Sequence, residues 1–127
     1  MYKYFKTSEL TCSHCGADGM DEGFMHKIDA LREELNFPFK ISSAYRCPKH
    51  PVEASKASPG AHTEGRAIDI RVYGSNALKL VEAGIRRGMA GVGISQKGSV
   101  ALRFIHLDDL PLTEDGGNRP RPWIWSY

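Results

Sequence analysis

The stretch "SPGAHTEGRAIDIRV", residues 58–72, sets His62 seven positions before Asp69 and then runs on as an apolar strand. A carboxylate in the middle of such a strand loses its hydration, so it must be paired, hydrogen-bonded or bound to a metal. In "RFIHLDD", His106 also sits within an apolar strand, and Phe104 and Asp108 share its face. If the two strands are neighbours, Asp69 and His106 point into one cleft. His62 then arrives from the preceding loop, which Gly65 lets turn sharply. Two histidines, one carboxylate and an open fourth position make a catalytic zinc set, in which zinc lowers the pKa of its water to ~7 and polarises a carbonyl. The plainer reading is a surface loop that holds a histidine, since this pair at this spacing also arises by chance.

A second group of ligand types includes two residues that closely follow Arg46. Cys12 and Cys15 form C-x-x-C in "TCSHCG", and Cys47 and His50 form C-x-x-H in "RCPKH". Three thiolates and an imidazole would close a structural zinc site and staple the N-terminus to the end of the first strand. The alternatives are a disulfide involving Cys47, which a reducing compartment disfavours, or three reduced thiols in a small core. His14 and His26 read as surface residues.

The elements that must position these groups follow from periodicity. "DEGFMHKIDALREELNF" carries Phe24, Ile28, Leu31 and Leu35 on one helical face, with Asp21 and Glu22 at the positive end and Pro38 beyond the other. "FKISSAYR" and "RAIDIRVY" alternate as strands. Ser75 is expected to cap a second helix, "NALKLVEAGIRRGM", with Leu78, Val81 and Ile85 inward. "GVGIS" and "VALRFIHLD" read as strands joined by "QKGS", and alternating Trp123, Trp125 and Tyr127 suggest a last edge strand. Such an edge covers the core, although its rings could also stack on a sugar. The order predicts an α+β domain, a mixed or antiparallel sheet with helices on one face.

The whole chain sets bounds on function. Its 127 residues suit one domain, residues 1–127, and no repeat or linker interrupts them. A net charge of +2 makes no electrostatic case for nucleic acid, though it allows weak attraction to an anionic cell wall. No apolar run approaches the ~20 residues that span a bilayer, so no membrane partner is expected. "MYKYFKTSEL" lacks an apolar signal-peptide core. Synthesis in the cytoplasm is therefore expected, with any action on the wall following release or transport as a phage component.

"SAYRC", "HTEGRAIDI" and "FIHLD", in this order, resemble the zinc D-Ala-D-Ala carboxypeptidase and L-alanyl-D-glutamate endopeptidase family, whose members share a fold with the hedgehog signalling domain. The chain looks most like the small single-domain members of bacteriophages and bacteria, which also tend to carry C-x-x-C-G near the start, YRCPxH after the first helix and a tryptophan–tyrosine end. The resemblance implies that His62, Asp69 and His106 are zinc ligands. It also implies that Arg46 faces the substrate carbonyl or carboxylate. A planar, permanently charged donor suits that task, whereas the plain alternative is a surface ion pair worth ~0–1 kcal/mol. Ser43, on the strand ending at Arg46, could hydrogen-bond near the site or be structural.

Some residues depart from the family pattern. Gly60 stands where serine is usual, and Ala44 replaces the glycine of Ser-Gly-x-Arg. Arg103 occupies the place, three before the last histidine, where better-studied members have the acidic general base. Asp108 offers a substitute: two residues after His106, it projects from the same strand face about 7 Å along. It could take the proton from the attacking water or merely orient a ligand. Glu64 in the loop is the weaker candidate for base. The resemblance thus implies a zinc metallopeptidase that cleaves peptidoglycan stem peptides, as carboxypeptidase or endolysin-type endopeptidase; a monomer is expected. The rival is a non-catalytic zinc-containing binding protein, or a virion-associated protein, of the same fold.

Overall fold

The alternation of "RAIDIRVY" becomes strand β2 (Ala67–Arg71), the structural centre of the site. The computed structural model describes residues 2–54, 60–113 and 120–127. Its other strands are β1 (Lys40–Ser43), β3 (Gly91–Ser95), β4 (Phe104–Asp108) and β5 (Trp123–Ser126). They form one sheet in the order β1-β2-β4-β3-β5. All neighbours run antiparallel except β3 and β5, which are parallel. The fold is α+β with a mixed sheet, in line with the sequence.

Period-two alternation gives this sheet two different faces. Ile68, Ile70, Val92, Ile105 and Leu107 share one face and belong to the main core. Helix α2 (Glu22–Leu35) covers them with Phe24, Met25, Ile28 and Leu31, all fully buried. Asp21 caps this helix, its carboxylate accepting the Phe24 N–H at 2.8 Å. Short helices α1 (Thr7–Leu10) and α3 (Pro51–Ala54) lie on either side of β1 in the sequence. The other face of the sheet carries Asp69, His106 and Asp108. Trp125 of β5 closes over it where Gly93 leaves room: a Cβ at Gly93 would lie 2.6 Å from the Trp125 indole nitrogen.

Helix α4 (Gly74–Arg86) differs from expectation in two ways. Ser75 does not cap it, because the helix already begins at Gly74 and its cap position is Tyr73. The buried face is Ala77, Leu80, Ala83 and Gly84, whereas Leu78 is 71% and Ile85 56% exposed. Only Val81 of the expected stripe packs against the core. Small residues let the helix lie close on the sheet, so the stripe one position earlier wins the contact. Ile85 instead lines a surface groove of about 490 Å³ with Met89, Pro122 and Trp123.

Two strands are shorter than the sequence suggests. Val100–Leu102 form a 3-10 turn, and β4 starts only at Phe104, which pairs with Arg71 and Ser95 at the ends of β2 and β3. β1 stops at Ser43 because the following segment bonds elsewhere: Tyr45 N–H to the Leu10 carbonyl (3.3 Å) and Arg46 N–H to that of His62 (3.2 Å). Among the described residues, no helix is long and apolar enough to cross a membrane.

Candidate metal centre

Asp69 and His106 are direct partners in the β2–β4 ladder. Their side chains therefore leave the sheet on one face, and His106 Nδ1 lies 2.9 Å from Asp69 Oδ1. His62 comes from a 3-10 turn, Ala61–Glu64. Gly65 ends that turn in the left-handed region, with φ of 70°. A side chain there would also run into the Gly19 carbonyl, so only glycine lets the turn sit this close to the segment before α2. The Asp21 N–H to Gly65 carbonyl bond (2.8 Å) fixes the same approach. His62 Nε2 thereby lies 3.3 Å from Asp69 Oδ1. The three ligand atoms lie within 4.8 Å of one another, and all three residues are buried.

The hydrogen bonds on the far side of each imidazole decide what this triad can hold. His62 Nδ1 is 2.7 Å from the Ala44 carbonyl, which can only accept, so that nitrogen carries the proton. His106 Nε2 is 2.7 Å from Asp108 Oδ2, and it donates likewise when Asp108 is ionised. The nitrogens left over, His62 Nε2 and His106 Nδ1, turn lone pairs toward a carboxylate oxygen. Three acceptors facing one point require a proton or a metal cation between them. Zinc bonds of ~2.0–2.1 Å at tetrahedral angles separate ligand atoms by about 3.3 Å, close to the spacing here. The donor set fits zinc, and each histidine has the outer acceptor that zinc-bound histidines need.

The electrostatics reflect how closely these groups face one another. Burial pushes the Asp69 carboxyl up, but bonds to His106 and His62 outweigh it and hold the group well below the usual carboxylate range. Burial pushes the His106 imidazole down, but Asp108 and Asp69 outweigh it and raise the group above its ordinary value. Asp108 is fully buried. Burial would raise it too, yet His106 and Arg121 bring it down to about 2. Arg121 grips it with two prongs, Nε to Oδ1 and Nη2 to Oδ2, both at 2.8 Å.

Sequence reasoning missed Arg121. The only signal was an arginine between two prolines just before the aromatic strand, and nothing in that pattern pairs it with Asp108. Missed too was the Ala44 carbonyl, which no side-chain pattern can reveal.

The cleft above these groups measures about 390 Å³. Arg46 stands at its side, with Nη2 3.6 Å from Asp69 Oδ2 and Nε donating to Ser43 Oγ at 2.9 Å. Trp125 and Tyr127 form an aromatic wall, with the Trp125 ring 5.0 Å from that of His106. Among the described residues that line the cleft, Asp69 is the sole carboxylate. Asp108 lies beneath it, and Glu64 is exposed outside the lining. Arg103 turns away and donates to the Gly98 carbonyl at 3.0 and 3.2 Å.

The cysteines converge separately. Sulfurs of Cys12, Cys15 and Cys47 lie within 4.8 Å of one another, and none is in a disulfide. His50 is not in that group: its Nε2 is 3.0 Å from Ser13 Oγ, and its Nδ1 accepts the Val52 N–H at 3.1 Å. Burial pushes the Cys12 thiol up, but backbone N–H groups of Cys47, Cys15 and His14 outweigh it and bring it down to about 7.

No curated protein matches the chain. Residues 3–108 match the family model described as Peptidase M15, a zinc-dependent family, over the span that carries Arg46, His62, Asp69, His106 and Asp108. On the strength of that match the chain belongs to the peptidase M15 family.

Proposed function

We propose that this protein is a zinc metallopeptidase that cleaves peptidoglycan stem peptides. The observation that carries the reading is the convergence of His62 Nε2, Asp69 Oδ1 and His106 Nδ1, lone pairs inward, at the floor of an open cleft. Zinc at those three groups supplies Lewis acidity, polarising a carbonyl and making water nucleophilic near neutral pH.

The chain's own groups do the rest. Ala44 and Asp108 fix the two imidazoles in the tautomers that leave the inward nitrogens unprotonated. Both oxygens of Asp108 are already engaged and its carboxyl is held near 2, so of its two expected roles, orienting His106 fits better than accepting a proton. Arg46 presents a charged planar donor to the carbonyl oxygen or terminal carboxylate of a peptide. Trp125 and Tyr127 supply an apolar wall that excludes water from one side and strengthens these interactions.

The test is hydrolysis of purified stem peptides by the zinc-loaded chain. Turnover that stops with a chelator, returns with zinc and disappears in Asp69→Ala supports the proposal. A fully zinc-loaded protein that cleaves no stem peptide overturns it. One observation favours a second reading, a zinc-containing binding or virion-associated protein: among the described residues that line the cleft, no carboxylate besides Asp69 is present to act as base. Stem-peptide binding without turnover selects that reading.

A further inference from the structure

We infer that Cys12, Cys15 and Cys47 form a second metal site, suited to a thiophilic divalent ion such as zinc, which clamps the 12–15 loop to the segment carrying Arg46.

Three features of the geometry converge on a metal. The sulfurs come from two segments far apart in sequence, yet lie within 4.8 Å of one another. Zinc–sulfur bonds of ~2.3 Å at tetrahedral angles place sulfurs about 3.8 Å apart, so a small contraction closes the site. A disulfide would join two of them and strand the third, whereas a metal uses all three. The backbone is also arranged for charged sulfur. Cys47 N–H donates to Cys12 Sγ at 3.3 Å. A neutral thiol or a disulfide gains little from such a donor, but a buried thiolate gains much. Finally, the loop is preformed. Gly16 N–H to the Cys12 carbonyl (2.8 Å) and Cys12 N–H to that of Ala17 (2.9 Å) hold Cys12 and Cys15 in one tight turn. On binding, each thiol releases its proton to solvent and gives a lone pair to the metal. Water or His50, once released from Ser13, completes the fourth corner.

The position explains what the clamp does. Between β1 and Cys47, the Ala44 carbonyl holds His62, and Arg46 meets both the His62 carbonyl and Asp69. Among the described residues, two long hydrogen bonds of 3.3 Å, Tyr45 N–H to the Leu10 carbonyl and Cys47 N–H to Cys12 Sγ, tie that segment to the N-terminal part of the chain. A thiolate-bound ion replaces that loose attachment with three strong bonds and fixes one wall of the cleft. The inference is independent of the reaction proposed above, because it concerns different ligands.

The experiment counts metals in the full, reduced chain after zinc loading and removal of excess. Two zinc ions per chain are expected, falling to one in Cys15→Ser, whose exposed side chain leaves the fold intact. Loading with cobalt instead gives sulfur-to-cobalt charge-transfer absorption in the unaltered chain and in His62→Ala, and loses most of it in Cys15→Ser. One zinc per chain with no sulfur–cobalt absorption overturns the inference. So does a disulfide among these cysteines, found by mass spectrometry in protein kept under reducing conditions.

Discussion

Arg121 and Asp108 are joined by two parallel hydrogen bonds of 2.8 Å in a region where neither residue is more than 5% exposed. Arg121→Ala leaves the carboxylate buried with its permanently charged partner gone. Removing one member of a buried pair costs ~3–5 kcal/mol, a large part of a small domain's total stability. A urea denaturation midpoint should fall accordingly. An effect below ~1 kcal/mol would show that water reaches Asp108 and that the pair is not truly buried.

Asp108→Asn separates the two roles open to this residue. If Asp108 orients His106, the substitution weakens zinc binding ~10–100-fold, while turnover at saturating zinc largely survives. If it is the base, zinc affinity holds and turnover falls ~10²–10⁴-fold. The first outcome is expected, and a competition titration with a zinc-binding dye, beside kcat at saturating zinc, distinguishes them.

Arg46→Met should lower kcat/KM on stem peptides by roughly 10²–10³-fold, the usual loss of an oxyanion donor, without changing the zinc content. Arg46→Lys should recover only part of this, since an ammonium cannot reproduce the planar fork. Full recovery by lysine would mean that Arg46 contributes charge alone.

Gly65→Ala and Gly98→Ala make a matched pair. Both glycines have positive φ, 70° and 75°, but a Cβ at Gly98 meets open space while one at Gly65 meets the Gly19 carbonyl. Gly98→Ala should cost ~1 kcal/mol of backbone strain. Gly65→Ala should cost clearly more and also weaken zinc binding, because His62 rides on the displaced turn. Equal costs in thermal denaturation would mean that the turn moves aside freely.

The chemistry of the cleft was legible where periodicity speaks. Alternation put Asp69 and His106 on the faces opposite Ile68, Ile70, Ile105 and Leu107, and the ladder makes the two polar residues direct partners. The face of α4 was not legible, because Leu78, Val81 and Ile85 show helical spacing as good as that of Ala77, Leu80 and Ala83. Only the closeness of helix to sheet chooses between the stripes, and closeness is tertiary. Arg121 was hidden for a related reason. Its value lies in a partner thirteen residues away, and the "GGNRPRP" run around it reads only as turns. The Ala44 carbonyl belongs to the backbone, which every sequence shares.

The pairing of β2 with β4 has a further consequence. Side chains alternate along a strand, so a slip of one residue would set Asp69 opposite Ile105 or Leu107 and swing greasy side chains into water. The oily side of the sheet therefore acts as a jig that keeps Asp69 and His106 in line. Conservative trimming of Ile68 or Ile70, though remote from any peptide bound above, would loosen that alignment before it unfolded the molecule.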